Sequence, residues 1–293
     1  MMTVRKAVIP AAGFGTRFLP ATKSQPKEML PIVDTPTIQY VVEEAAAAGI
    51  TDVLMVIGKS KRAIEEHFYR NFELDYELRE QGKLALLEEV DRISHLANIH
   101  FVWQKELNGL GDAIRYGASY ASGEPFAVLL GDTLVGTKNK ERNITRQLID
   151  VFEKYQASVV ALEEVPHDKV NRYGIVGGDL IEPDLIKVNQ LVEKPPVEEA
   201  PSNLAIAGRY VFTPEIFTEI ERTPRGRNNE VQLTDAMASL LSSQSMYGLK
   251  FDGKRFDIGN KLDFLKTNIE FGLQRDDVGP GLRRFIKEIA KDL

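Results

Sequence analysis

The chain has 293 residues, 43% of them hydrophobic and 27% charged, with a formal net charge of −6 and no cysteine. That is ample for a buried core, and too acidic a balance for a protein that holds nucleic acid or a membrane mainly by charge. The absence of cysteine excludes disulfides, thiolate catalysis and thiolate metal sites; no run approaches the ~20 apolar residues of a membrane span, no secretory signal is expected at the N-terminus, and the cytoplasm is the expected location.

Val4–Pro10 reads as a buried strand. It enters a long loop with small residues at 11 to 13, a second glycine at 15, and the cations Arg17, Lys23 and Lys27 behind them. Backbone without Cβ can turn its N–H groups toward phosphate oxygens, so the loop reads as a polyphosphate cradle. Pro36 to Gly49 has the apolar spacing of a helix that Gly49 ends, and Asp52–Ile57 is a second buried strand. A short helix capped by Ser60 is expected to Phe68, then an exposed, acidic helical stretch over 72–95. Strand Ile99–Trp103, a glycine-bearing loop from Gln104 to Gly111, helix Asp112–Tyr120 and strand Pro125–Leu130 follow, the last running into Gly131-Asp132. Helix Ile144–Tyr155 and strand Ser158–Leu162 complete a β-α-β-α alternation, which implies a mostly parallel sheet with helices on both faces.

From about residue 165 the rhythm changes. Gly174–Val176, Ile186–Glu193 and Ala205–Phe212 read as shorter strands, some antiparallel; Pro214–Ile220 and Gln232–Leu241 read as helices and Met246–Phe251 as a strand. Lys261–Phe271 is helical, and Gly279-Pro-Gly281 is expected to break the chain before an amphipathic helix, Leu282 to Leu293. One catalytic domain over 1–260 with a helical arm over 261–293, packed on the domain or on a partner subunit, is the expected organisation.

The glycine loop fails two established phosphate signatures. A dinucleotide fingerprint requires a glycine where Phe18 stands and an acid at the end of the second strand, which closes here with Ile57-Gly58. The Gly-Lys-Ser/Thr ending of the ATPase loop is also absent. Asp132 stands just past a buried strand, where open α/β sheets place ligands, and Asp257 follows another short run. Two carboxylates from distant segments suit Mg²⁺, which takes few protein ligands. The four histidines do not cluster, which argues against zinc.

Ala11-Ala-Gly-Phe-Gly-Thr-Arg-Phe-Leu-Pro20 followed by Lys23-Ser-Gln-Pro-Lys-Glu-Met-Leu-Pro31 resembles the signature of sugar-nucleotide pyrophosphorylases. The wording is most similar to that of the bacterial uridylyltransferases acting on UTP and glucose 1-phosphate. Six later blocks keep the family order across nearly the whole chain: 104–113, Leu130-Gly-Asp132, Arg172-Tyr-Gly174, Val192-Glu-Lys-Pro195, 229–235 and Arg255-Phe-Asp-Ile-Gly259. Gly131-Asp-Thr133 departs slightly from the usual wording but keeps the acid. The resemblance implies a Rossmann-like, glycosyltransferase-A-like α/β fold of three layers with a mixed, mostly parallel sheet.

The resemblance also implies the reaction UTP + glucose 1-phosphate ⇌ UDP-glucose + pyrophosphate, with Mg²⁺ on Asp132 and Asp257. Arg17 and Lys27 are then expected at the leaving pyrophosphate, and Lys194 at the sugar phosphate. Ala11, Ala12 and Gly13 would lie along the nucleoside, with Gln104 and the Gly109 backbone at the uracil edge; a glutamine amide offers both a donor and an acceptor there. Glu193 would bind glucose hydroxyls, Gly174 would admit the hexose, and Glu28 would support the nucleotide site through its neighbours. Asn229-Glu230 is expected either near the sugar or capping the next helix. A homo-oligomer is expected. The nearest rival is a dTTP-dependent thymidylyltransferase; a nucleotide-sugar sensor and a dehydrogenase are more distant ones.

Overall fold

The computed structural model describes residues 2–137 and 142–291. In chain order, β1 (Lys6–Ala11) leads through three single helical turns to a short hairpin, β2 (Pro31–Ile32) and β3 (Thr35–Pro36), then to α1 (Thr37–Ala47) and β4 (Asp52–Ile57). Helices α2 (Arg62–Phe68), α3 (Phe72–Glu80) and α4 (Leu84–Ser94) precede β5 (Asn98–Trp103). Next come α5 (Leu110–Arg115), α6 (Ala118–Ala121), β6 (Phe126–Leu129), β7 (Thr133–Thr137) and α7 (Ile144–Tyr155). Strands β8 (Ser158–Glu164), β9 (Gly174–Glu182), β10 (Leu185–Glu193) and β11 (Leu204–Phe212) follow, then α8 (Ile216–Arg222) and α9 (Leu233–Leu240). β12 (Met246–Lys250), β13 (Gly253–Asp257), α10 (Lys261–Gln274) and α11 (Gly279–Ile289) end the described chain.

Nine strands form one mixed sheet in the order β5-β4-β1-β6-β11-β8-β12-β10-β9. The β5-β4-β1-β6 half is parallel, as is β8 with β12. β11 enters antiparallel between β6 and β8, and β10 runs antiparallel to both β12 and β9. Both faces are covered, so β1, β4 and β6 are nearly continuous apolar runs, while the edge strand β5 is only partly buried. Ala7, Ile9, Met55 and Leu129 pack with α1, α2 and α7 on one face, while Val8, Val56 and Val128 pack with α5, α8 and α9 on the other. The expected three layers are present.

Several local expectations are corrected. Ser60 caps nothing: Lys61 takes the N-cap position of α2 without a capping hydrogen bond, its side chain turned inward to Glu28. The acidic stretch is two helices, divided at Gly82, where φ is 68°. The helix expected over 112–120 breaks near Gly117, which packs so closely on the sheet that a Cβ there would lie 2.8 Å from Val8 Cγ2. Gly279 and Pro280 do not break the last helix but begin it, Pro280 lacking only an N–H that the first turn leaves unpaired anyway. Strand β13 was not anticipated; it pairs antiparallel with β7 and sets Asp257 opposite Thr133.

Helix α10 packs on the body of the fold through aromatic edges: Phe264 against Phe18 at 5.5 Å, and Phe271 against Phe256 and Tyr40 at 5.3 and 5.4 Å. α11 leaves Phe285 and Ile289 exposed. Among the described residues no helix is long and apolar enough to cross a membrane.

Candidate active site

Parallel strands β1, β4 and β5 end in register, with Ala11 beside Ile57 and Ile57 beside Trp103. Their carboxyl ends open on a cleft of about 550 Å³. Eight of the residues singled out in the sequence line it together: Ala11, Ala12, Gly13, Lys27, Glu28, Gln104, Gly109 and Asp132. The loop after β1 forms one wall. Gly15 has φ 65°, and a Cβ there would stand 3.0 Å from Lys27 Cβ, so glycine lets the loop fold back over the lysine. Gly109 has φ 102° at the opposite wall, where a Cβ would be 2.9 Å from the Val231 carbonyl oxygen. That closeness matches a backbone clasp between the two segments: Val231 N–H donates to Asn108 O at 2.7 Å and Gly111 N–H to Val231 O at 3.0 Å.

The inner end of the cleft holds alternating charges. Lys61 Nζ donates to Glu28 Oε2 at 2.7 Å; Glu28 Oε1 lies 3.9 Å from Lys27 Nζ, and Lys27 in turn donates to Asp132 Oδ2. Lys61 and Glu28 are 2% and 1% exposed. Burial raises the Glu28 carboxyl above the usual carboxylate range, against the opposing pull of Lys61 and Lys27. Burial opposes the charged forms of Lys27 and Asp132 too, but their mutual attraction prevails: the Lys27 ammonium is held above the ordinary lysine value and the Asp132 carboxyl below its own. Both are therefore ionised at neutral pH.

Asp257 arrives from the far end of the sequence. It ends β13 opposite Thr133, one residue from Asp132, and its Oδ1 accepts from the Gly259 N–H at 2.8 Å. Arg17, otherwise exposed, donates from Nη1 to the Gly259 carbonyl at 3.3 Å. Asp132 and Lys27 thus line one end of the cleft, and Asp257 and Arg17 adjoin it through Thr133 and Gly259. Asp132 in the cleft and Asp257 on the paired strand beside it, with no imidazole or thiolate among the described lining residues, are oxygen donors of the kind a hard divalent cation takes before completing its shell with phosphate and water. No group of three or more His, Cys, Asp or Glu able to hold a metal is found among the described residues. Lys23 lies exposed at the end of a helical turn.

The remaining predicted residues form a second cluster that does not line this cleft. Glu193 Oε1 is 2.9 Å from Lys194 Nζ, and Glu193 Oε2 accepts from Thr234 Oγ1 at 2.7 Å. A Cβ on Gly174 would come within 2.9 Å of Thr234 Oγ1 and 3.2 Å of Glu193 Oε2, so the three sit against one another. The segment between Gly226 and Val231 joins the two clusters. Arg227 Nη1 donates to Lys194 O at 3.4 Å, while Glu230 lines the cleft beside Gly109. Neither Asn229 nor Glu230 caps α9; Gln232 holds that position without a capping bond.

Three residues escaped the sequence reading. Lys61 stands at a helix start, Asp112 in a first turn and Thr234 in an apolar helix, places where such residues are ordinary. Asp112 accepts from Gln104 Nε2 at 2.9 Å and from Arg115 Nη2 at 2.8 Å. Asp112 and Thr234 lie inside the family blocks 104–113 and 229–235, which was the available signal, whereas Lys61 lies in none of them.

A nucleotidyl transferase family model matches residues 6–272. The chain is 51% identical over 287 residues to UTP–glucose-1-phosphate uridylyltransferase of Bacillus subtilis, covering 98% of this chain and 97% of that one. It superimposes on a UTP-bound UGPase from Acinetobacter baumannii with a TM-score of 0.91 at 40% identity, over 98% and 99% of the two chains. A UDP-glucose pyrophosphorylase complexed with UDP-glucose gives 0.85 at 39% identity, over 93% and 100%.

Proposed function

The chain belongs to the nucleotidyl transferase family, and on that premise we propose that it transfers UMP from UTP to α-D-glucose 1-phosphate, giving UDP-glucose and pyrophosphate. The observation that carries this reading is the single cleft in which the residues expected at a base, Gln104 and Gly109, share walls with the charges expected at a triphosphate, Lys27 and Asp132. The UTP-bound and UDP-glucose-bound relatives support uridine over thymidine as the nucleoside.

A phosphate oxygen of glucose 1-phosphate attacks the α-phosphorus in line. A P–O bond forms to the uridylyl group, the bond to the β-phosphate breaks, and pyrophosphate leaves with that electron pair. The nucleophile is already an anion, so no general base is required, and no histidine or serine is among the described residues lining the cleft. Positioning and charge neutralisation carry the rate. Ala11, Ala12 and Gly13 support the nucleoside, and Gln104 with the Gly109 backbone reads the base. Lys27 and Arg17 neutralise the leaving pyrophosphate, while buried Glu28 and Lys61 hold Lys27 in place. Lys194 meets the sugar phosphate, Glu193 the hexose hydroxyls, and Gly174 leaves room for the ring. Magnesium, held by Asp132 and Asp257, would supply the remaining positive charge at the phosphates.

We extend the proposal to a cytoplasmic homo-oligomer, dimer or tetramer, with a catalytic domain over 1–260 and a helical arm over 261–293 whose exposed Phe285 and Ile289 favour association. The direct test measures pyrophosphate release with a panel of nucleoside triphosphates and sugar 1-phosphates, with and without Mg²⁺. UTP with glucose 1-phosphate and Mg²⁺ is expected to lead; a clear preference for dTTP would overturn the proposed substrate.

A further inference from the structure

Gln104 is buried at the end of β5, and its own N–H donates to Ile57 O at 2.9 Å, which fixes its backbone at the rim of the sheet. Its side chain has one hydrogen-bond partner shown among the described residues, Asp112 Oδ2 at 2.9 Å from Nε2. Asp112 is 4% exposed and sits in the first turn of α5, with its second oxygen taken by Arg115 three residues on. A carboxylate clamped by a guanidinium can only accept. The amide of Gln104 therefore has one allowed orientation. The flipped amide would set Oε1 against Asp112 Oδ2, two acceptors facing each other in a buried place. With one Nε2 hydrogen committed, the carbonyl oxygen and the other N–H are what the side chain has left to offer the cleft that Gln104 lines.

That orientation has a chemical consequence. Uracil presents an N3–H donor beside a carbonyl acceptor. Cytosine presents the reverse pattern at the same positions, an N3 acceptor beside an exocyclic amine. An amide free to turn over reads either edge, because its two ends simply exchange roles; an amide held by a fixed acceptor reads one. We propose that Asp112, itself held by Arg115, is a specificity-determining positioning residue: by locking the Gln104 amide it makes the cleft select the imide edge of uracil against the amidine edge of cytosine. The proposal rests on the reading of Gln104 as the base-edge residue. Asp112 touches no substrate and acts only through Gln104. Thymine carries the same imide edge as uracil, so this lock contributes nothing to the choice between UTP and dTTP.

The test compares kcat/KM for UTP, CTP and dTTP in the whole enzyme and in Asp112→Asn, which keeps the shape but can present either an amine or a carbonyl to Gln104. The UTP-to-CTP ratio is expected to fall at least about tenfold, while the UTP-to-dTTP ratio stays within about twofold. Equal losses on UTP and CTP would mark Asp112 as merely structural and overturn the proposal. Gln104→Ala separates the premise from the inference. If Gln104→Ala lowers the UTP-to-CTP ratio and Asp112→Asn does not, the lock is wrong and the base reading stands. If Gln104→Ala leaves that ratio unchanged, the base reading fails and the lock with it. Should Asp112→Asn not fold, Arg115→Met at the 47%-exposed outer side of the clamp reads the same ratio and is expected to lower it, less steeply; an unchanged ratio there overturns the proposal.

Discussion

Replacing Lys61 by Met removes the innermost member of the charge row and leaves a carboxylate that is 1% exposed with its next cation 3.9 Å away. Breaking one partner of a buried pair destabilises by about 3–5 kcal/mol, because the other charge stays desolvated. With a urea m-value of about 2–3 kcal/mol/M, that lowers the unfolding midpoint by about 1–2.5 M near pH 8. The loss depends on pH in a definite sense. The Glu28 carboxyl already stands above its ordinary 4.5 in the folded chain, burial being the chief cause and Lys61 the first opposing group. Without Lys61 it rises further. A carboxyl raised on folding contributes stability that is fully present below its unfolded value and is lost as pH rises through its folded value. The penalty of Lys61→Met should therefore be small near pH 5 and grow by up to ~1.4 kcal/mol per pH unit until Glu28 ionises in the folded state. Adding Glu28→Gln should recover at least about half of the loss at pH 8, since a neutral amide needs no counter-charge. Urea titrations of the unsubstituted protein, Lys61→Met and the double variant across pH 5–8 decide it. A cost below about 1 kcal/mol at pH 8, or one that grows on acidification, would refute the account of this row as a coupled buried unit.

Thr234→Val removes the hydroxyl that donates to Glu193 while keeping its shape. The KM for glucose 1-phosphate should rise about fivefold to tenfold, about 1–1.4 kcal/mol and in the range of one lost hydrogen bond, with the KM for UTP unchanged; a shift confined to UTP would place Glu193 at the wrong substrate. Chelation of divalent metal should abolish turnover reversibly, and Asp132→Asn should lower kcat by at least about 100-fold, the scale of a lost metal contribution of several kcal/mol. Unaffected turnover in Asp132→Asn, measured by pyrophosphate release, would remove that residue from the metal site.

The parts of this molecule legible in its sequence are those where chemistry restricts the residue type locally. The loop from Ala11 to Lys27 could be read because glycine is the favoured residue at φ 65° and, at position 15, its missing Cβ leaves room for the lysine packed beneath it. Strands β1, β4 and β6 could be read because both their faces are covered and every residue along the run must be apolar. Strand order could not be read. β11 lies between β6 and β8 although some 40 residues or more separate it in sequence from β8, because pairing is decided by which edges remain open when the strand arrives. The residues that hold the site's side chains in place were also hidden. Lys61, Asp112 and Thr234 occupy helix starts, where such residues are common for local reasons, and only the fold brings them to Glu28, Gln104 and Glu193.

Strand β12, completed only at residue 250, wedges between β8 and β10, and β13 then delivers Asp257 to the rung beside Asp132. During synthesis this makes the enzyme a late bloomer. A nascent chain that has already built the β1 loop and the first half of the sheet still has bare hydrogen-bonding edges on β8 and β10 and only one of its two proposed metal-binding acids. Those edges invite pairing with neighbouring chains until the last sixth of the sequence emerges from the ribosome. Premature termination or C-terminal proteolysis before residue 246 is thus expected to yield aggregation rather than a weakly active fragment, and the catalytic machinery to appear in one step with the closing of the sheet.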